Sequence, residues 1–185
     1  MFLKTMRQRR SKPRTSTDES AASRLTPEQI RARTFQRAGK LLAAKARSVA
    51  ELRERLLERC SDKAVVEIVI ARLREYGYLD DERYAVSYAS SKVRQSPVGR
   101  RRLEQSLAMK KVDRAAANEA LDQVYAETPE AELIDRAIEK RVRLRGRPKT
   151  RAEAKSLFDH LLRQGFPFEL VSEKVRAVSQ TNLEE

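Results

Sequence analysis

The residues with chemical reach in this chain are cations. Lys92, Arg94, Arg100, Arg101 and Arg102 fall within eleven consecutive residues that hold no acid, and Lys110 and Lys111 close the same helical stretch. A second acid-free block holds Lys140, Arg141, Arg143, Arg145, Arg147, Lys149 and Arg151. Guanidinium and ammonium groups at this density recognise phosphate oxygens and carboxylates, with no bond broken. Part of the second block has a local reason: Arg143 and Arg145 sit where a helix C-terminus favours cations by about 0.3–1 kcal/mol each. That does not account for a run of seven. Alternate positions along a helix point around its sides, which suits insertion into a groove better than a flat contact. The candidate contact residues are therefore Lys92, Arg94, Arg100, Arg101, Arg102, Lys110, Lys111, Arg141, Arg143, Arg145, Arg147 and Lys149.

Other chemistries find little to work with. The chain has one histidine, His160, and one cysteine, Cys60, so a Cys/His metal centre is not expected within one copy. A lone histidine on a helix reads as a surface or boundary residue. No strand-turn-helix glycine motif presents a nucleophile. Gly146-Arg147-Pro148-Lys149-Thr150 lacks the spacing that wraps backbone amides around a phosphate. No catalytic residue, metal or cofactor is therefore expected. Aromatics make up 5% of the chain and tryptophan is absent, which argues against base stacking as the main source of affinity. The acids read as helix caps or as partners of arginine one turn away, such as Glu51 with Arg55.

The elements that must carry the cations are helices in a repeating pattern. Leu52, Leu103 and Leu157 align, followed by Leu56, Leu107 and Leu161, then Ser61, Val112 and Phe166 at a turn. Val65, Ala116 and Leu170 align next, then Ile70, Leu121 and Val175, and finally Leu73, Val124 and Val178. A period of about fifty residues built only from helical units reads as a tandem array, each unit burying its apolar face against its neighbours. Helix starts are signalled by Thr26-Pro27-Glu28-Gln29, the capping box Ser48-Val49-Ala50-Glu51, Asp62, Asp80 or Asp81, Ser96-Pro97, Asp113, Thr128-Pro129-Glu130 and the box Thr150-Arg151-Ala152-Glu153. Stops are signalled by Gly77, Gly146 and Gly165. The expected fold is all-α, three tandem three-helix repeats of helix-turn-helix character forming an elongated, curved body. Their limits are 26–79, 80–127 and 128–180.

The formal net charge of +13 favours a polyanionic partner, most often nucleic acid. Residues 1–25 hold seven Lys or Arg against Asp18 and Glu19 and lack apolar periodicity; they are expected to form a disordered basic arm, with 181–185 as a tail. No stretch approaches the roughly 18 apolar residues of a membrane span, and a single cysteine fits a reducing, cytoplasmic setting. An array with polar ends needs no second copy for solubility, so a monomer is expected.

The most distinctive string is Tyr76-Gly77-Tyr78-Leu79-Asp80-Asp81-Glu82-Arg83-Tyr84-Ala85. It reads as a glycine-stopped helix, an apolar plug of Tyr78 and Leu79, and an acidic cap opening the next helix. Preceded by Ser48-Val49-Ala50-Glu51-Leu52 and Leu56-Leu57, it closely resembles the RecX family of recombinase regulators, over about residues 30 to 178. One departure is Cys60-Ser61, where such proteins often carry Gly and an aromatic, as in Gly165-Phe166. The resemblance implies a non-catalytic modulator that binds RecA. It would lie along the groove of the RecA nucleoprotein filament and inhibit ATP hydrolysis, strand exchange and coprotease activity, in control of recombination, DNA repair and the SOS response. Its partners would be that filament and single-stranded DNA, with double-stranded DNA as a further one. The rival reading is a stand-alone helix-turn-helix DNA-binding protein.

Overall fold

The structure is a computed structural model that describes residues 25–180; the basic arm, save Leu25, and the tail 181–185 lie outside the described residues. Among these, the elements are all helices, α1 (Pro27–Ala44), α2 (Val49–Leu57), α3 (Lys63–Glu75), α4 (Asp81–Gln95), α5 (Arg100–Met109), α6 (Arg114–Glu127), α7 (Glu130–Arg145), α8 (Arg151–Arg163) and α9 (Phe168–Gln180). No helix among the described residues is long and apolar enough to cross a membrane.

Most boundaries follow from local chemistry. Thr26 and Gln29 form a reciprocal capping box at α1, with Pro27 in the first turn. Thr150 and Glu153 form another at α8. The α3 C-terminus closes when Gly77 takes φ +69 and Tyr78 N–H reaches the Leu73 carbonyl at 2.9 Å. Two expectations shift. Helix α5 starts three residues after Ser96-Pro97, with Gly99 as its cap residue and no side-chain cap. At α2, Ser48 accepts from Glu51 N–H as expected, but the Glu51 carboxylate turns to Lys110, the cap residue after α5, instead of to its own cap or to Arg55, which pairs with Glu58.

The apolar positions aligned in the sequence form the core. Leu52, Leu56, Leu103, Leu107, Leu157 and Leu161 are buried, as are Ile70, Leu121 and Val175. Helices α1, α2 and α3 enclose one cluster, while a second runs continuously from α4 to α9, joining Leu103, Leu121, Leu133, Ile134, Leu161 and Val171. The first unit therefore has its own core, and the second and third share one. The turns of the last two units each contain a left-handed residue, Lys111 and Gly165, and a sixth-to-first hydrogen bond, Val112 N–H to Leu107 O and Phe166 N–H to Leu161 O. The first unit takes a different path: Cys60, in the corresponding place, is buried and its N–H bonds Leu56 O instead.

One joint is used twice. Val49 N–H donates to Asp81 Oδ1 at 2.8 Å, and Arg100 N–H donates to Glu130 Oε1 at 2.7 Å. In each case the first residue of the next unit's opening helix caps the middle helix of the unit before it, satisfying an amide that a helix start leaves unpaired. The second contact of the joint also repeats. Ser48 Oγ donates to Lys110 O at 2.5 Å, whereas Gly99 N–H donates to Gln164 O at 2.9 Å. A hydroxyl bridges the first joint; at the second the backbones touch, because a Cβ on Gly99 would lie 2.3 Å from the Gly165 carbonyl carbon.

Candidate nucleic-acid interface

Ion pairs sort the candidate cations into engaged and free. Arg100 pairs with Glu104 at 3.1 Å and Asp122 at 2.6 Å. Lys110 pairs with Glu51 at 2.6 Å, and Lys111 with Glu54, tying the second unit to the first. Burial works against ionisation of Glu51, but the Lys110 hydrogen bond and charge, with Lys45 and Ser48, outweigh it and hold the carboxyl below its ordinary range. These three cations already have anionic partners inside the chain.

Arg102 is placed differently. Its Nη1 donates to Arg163 O at 3.1 Å and Gln164 Oε1 at 3.0 Å, both neutral acceptors, so the charge stays uncompensated. It thereby meets the second block. Arg141, on α7, donates to Ser156 Oγ at 3.3 Å, again a neutral partner. Burial, then the neighbouring charges of Arg145 and Arg163, lower the Arg141 pKa. His160 lies between these groups: burial, then Arg141, Arg163, Arg145 and Arg102 in turn, push its imidazole below the ordinary histidine value. Among the described residues these like charges form no ion pair; held together, they raise the energy of the unliganded state, and an anion relieves it.

The remaining candidates border this centre or stand apart. Arg143, Arg145, Arg147 and Lys149 are exposed along the end of α7 and the loop before α8. The acid nearest this loop, Glu153, accepts the backbone N–H groups of Lys149 and Thr150, which with the Lys149 charge hold its pKa low. Arg94 and Arg101 are exposed and form no ion pair among the described residues. Lys92 sits with Nζ 5.6 Å from the centroid of the Tyr88 ring. Two shallow clefts flank Arg141, about 160 Å³ beside Pro97, Lys140 and His160 and about 210 Å³ beneath Arg145 and Arg147. Leu144 lines the first of them beside Lys140 and Arg141 and stands 71% exposed.

Sequence reasoning missed Arg163 and the position of His160. Arg163 lies in the last turn of α8, outside both acid-free runs, and reaches the cluster because that turn docks on the start of α5. The repeat register carried the signal: α8 aligns with α5 and α2, and the end of α5 docks on the start of α2 in the same manner. Among the described residues, no group of three or more His, Cys, Asp or Glu side chains is placed to hold a metal ion. The cations of this arrangement offer charge-assisted hydrogen bonds of the kind that carboxylate and phosphate oxygens accept.

Comparison with known proteins gives a consistent result. Residues 35–73 match the family model described as RecX, first three-helix domain, and residues 80–121 match RecX, second three-helix domain. The regulatory protein RecX of Chlorobium limicola is 32% identical over 146 residues, covering 78% of this chain and 89% of that one. That of Treponema pallidum strain Nichols is 38% identical over 107 residues, 58% of this chain; the match spans 65% of the relative's length. The crystal structure of RecX from Lactobacillus salivarius superposes with a TM-score of 0.72 at 19% identity, over 82% of this chain and 97% of that one, a likeness of fold.

Proposed function

The chain belongs to the RecX family of regulatory proteins, and from that premise we propose that it binds RecA and its nucleoprotein filament and inhibits ATP hydrolysis, strand exchange and coprotease activity. It does so without catalysis of its own, as a cytoplasmic monomer acting in recombination, DNA repair and the SOS response. The unit limits 26–79, 80–127 and 128–180 belong to the same proposal. The observation that carries the reading is the convergence of Arg102, Arg141, Arg145 and Arg163 on His160 where two units meet, with no ion pair among them. A cluster of that kind, with Leu144 exposed beside it, suits acidic protein surface or phosphate in a groove. Arg143, Arg147 and Lys149 extend the contact along the loop, and Arg94 and Arg101 extend it along the second unit. Many weak contacts on a modular body add through effective concentration.

The test pairs two measurements. RecA ATP hydrolysis on single-stranded DNA is followed with and without this protein, alongside a mobility shift on DNA alone. Loss of hydrolysis at protein levels too low to coat the DNA supports the regulator. Unchanged hydrolysis beside tight duplex binding selects the stand-alone DNA-binding protein instead.

A further inference from the structure

The string between α3 and α4 predicts an apolar plug of Tyr78 and Leu79 at the first joint. Only Leu79 fills that role, at 3% exposure; Tyr78 stands 69% exposed, its ring 6.3 Å from Tyr76 in an edge contact. Tyr78 faces a cleft of about 520 Å³ bounded by the end of α1, the α3–α4 turn and one side of α4. Across it lie Tyr88, half-buried and stacked on Tyr84 at 6.0 Å, and the hydroxyls Ser87 and Ser91. Lys45, Arg47 and Arg83 line the same cleft and form no ion pair among the described residues. One acid, Asp80, also lines the cleft and is engaged as a helix cap, accepting Arg83 N–H at 3.0 Å; Asp81 accepts Val49 N–H at 2.8 Å.

One ring with accessible faces, Tyr78, three cations without an ion pair and a volume in the range of small-ligand sites form a combination that packing does not require. We propose that this cleft binds a nucleotide of single-stranded nucleic acid, the base stacking on Tyr78 and the adjacent phosphates meeting Lys45, Arg47 and Arg83. A duplex keeps its base faces covered, so the site selects single strands. An acidic peptide would satisfy the cations and leave the ring unused. The site is separate from the Arg141 cluster, which lies at the other joint. It gives the array a second contact to a strand, independent of its contact with protein.

The test is direct binding by fluorescence anisotropy, with no recombinase present, so its failure leaves the regulator reading standing. The probe is a labelled oligothymidylate of about eight nucleotides, compared with an abasic deoxyribose-phosphate strand of the same length and with an oligoglutamate peptide. Tyr78→Ala should weaken oligothymidylate binding about tenfold, the loss expected of one stacked base, and Tyr78→Phe should retain it. The abasic strand should bind weakly and show no dependence on Tyr78. Arg83→Ala should weaken both strands. Equal binding of the two strands by the unaltered protein, equal affinity of Tyr78→Ala for oligothymidylate, or equal binding of oligoglutamate would each overturn the site. Tyr78 is exposed, so its loss leaves the fold intact, which circular dichroism checks.

Discussion

Replacing Gly99 by alanine isolates the joint between the second and third units. Gly99 has φ −81 and ψ 159, a conformation alanine accepts, so the substitution adds only a methyl group. That carbon would lie 2.3 Å from both the carbonyl carbon and oxygen of Gly165 and 2.4 Å from Phe166 N, against about 3.5–4.0 Å for ordinary contact. All three atoms are backbone, so no rotamer change relieves the overlap, and the start of α5 must part from the α8–α9 turn by roughly 1 Å. The Gly99 N–H to Gln164 O bond at 2.9 Å breaks with it. Overpacking costs about 1–3 kcal/mol and the hydrogen bond about 0.5–1.5 kcal/mol, so destabilisation of about 1.5–4.5 kcal/mol is expected. Urea unfolding followed at 222 nm reads this as a midpoint lowered by roughly 1–2 M for a slope near 2 kcal/mol/M. The control is Gly39→Ala in the middle of α1, where a Cβ meets nothing within 4 Å; helix propensity should make that variant more stable by about 0.8–1 kcal/mol. The same substitution then has opposite signs at two sites. A Gly99→Ala stability within about 0.5 kcal/mol of the unaltered protein would refute the close backbone approach on which the joint depends.

Three further outcomes follow from the same geometry. Ser48→Ala removes the α2 cap and leaves the half-buried Lys110 carbonyl without its 2.5 Å partner, and should cost about 1–3 kcal/mol in the same unfolding assay. Glu130 and Glu51 should respond to pH with opposite signs. Burial raises the Glu130 pKa, only partly offset by the Arg100 N–H and charge, so stability falls as pH rises from the ordinary carboxylate value through the folded one. Glu130→Gln, which keeps an acceptor for Arg100 N–H, should therefore gain stability relative to the unaltered protein with rising pH. The lowered pKa of Glu51 gives stability that is present above the ordinary carboxylate range and disappears as pH falls through the folded value, and Glu51→Gln should remove that acid-side loss. Finally, His160 is the sole histidine of the chain and reports on its arginines. Its NMR titration should move up toward the ordinary value in Arg141→Ala or Arg145→Ala, and up again when a polyanion binds, since either change favours the charged ring; an unmoved titration would place the arginines elsewhere.

The fold was legible because its signals are local and repeated. Thr26, Asp62, Asp80, Asp113 and Thr150 cap the helices they precede, and every leucine of the aligned α2, α5 and α8 pairs is buried. What the pattern could not show is how one unit meets the next. Arg100, Lys110 and Lys111 look like the cations beside them until packing of α6 on α5 brings Asp122 within reach of the first, and the first joint brings Glu51 and Glu54 within reach of the other two. Arg163 and His160 look unremarkable until the α8–α9 turn carries them against Arg102. Tyr78 reads as core because it precedes Leu79, but the left-handed turn at Gly77 sends the two side chains to opposite environments. Cys60-Ser61 did mark a real difference, since the first unit turns without the left-handed residue of the other two.

On the proposed function, the cluster around His160 provides the surface through which the protein acts on a recombinase filament. The most direct measurement is inhibition of RecA ATP hydrolysis across a salt series, comparing the unaltered protein with the Arg102→Ala, Arg141→Ala, Arg145→Ala triple variant at equal helicity. The triple variant should need more protein for half-inhibition, with a plot of log affinity against log salt shallower by roughly two to three, about one for each arginine removed from an anionic partner. Superimposable inhibition curves for the two proteins at every salt concentration would contradict the claim.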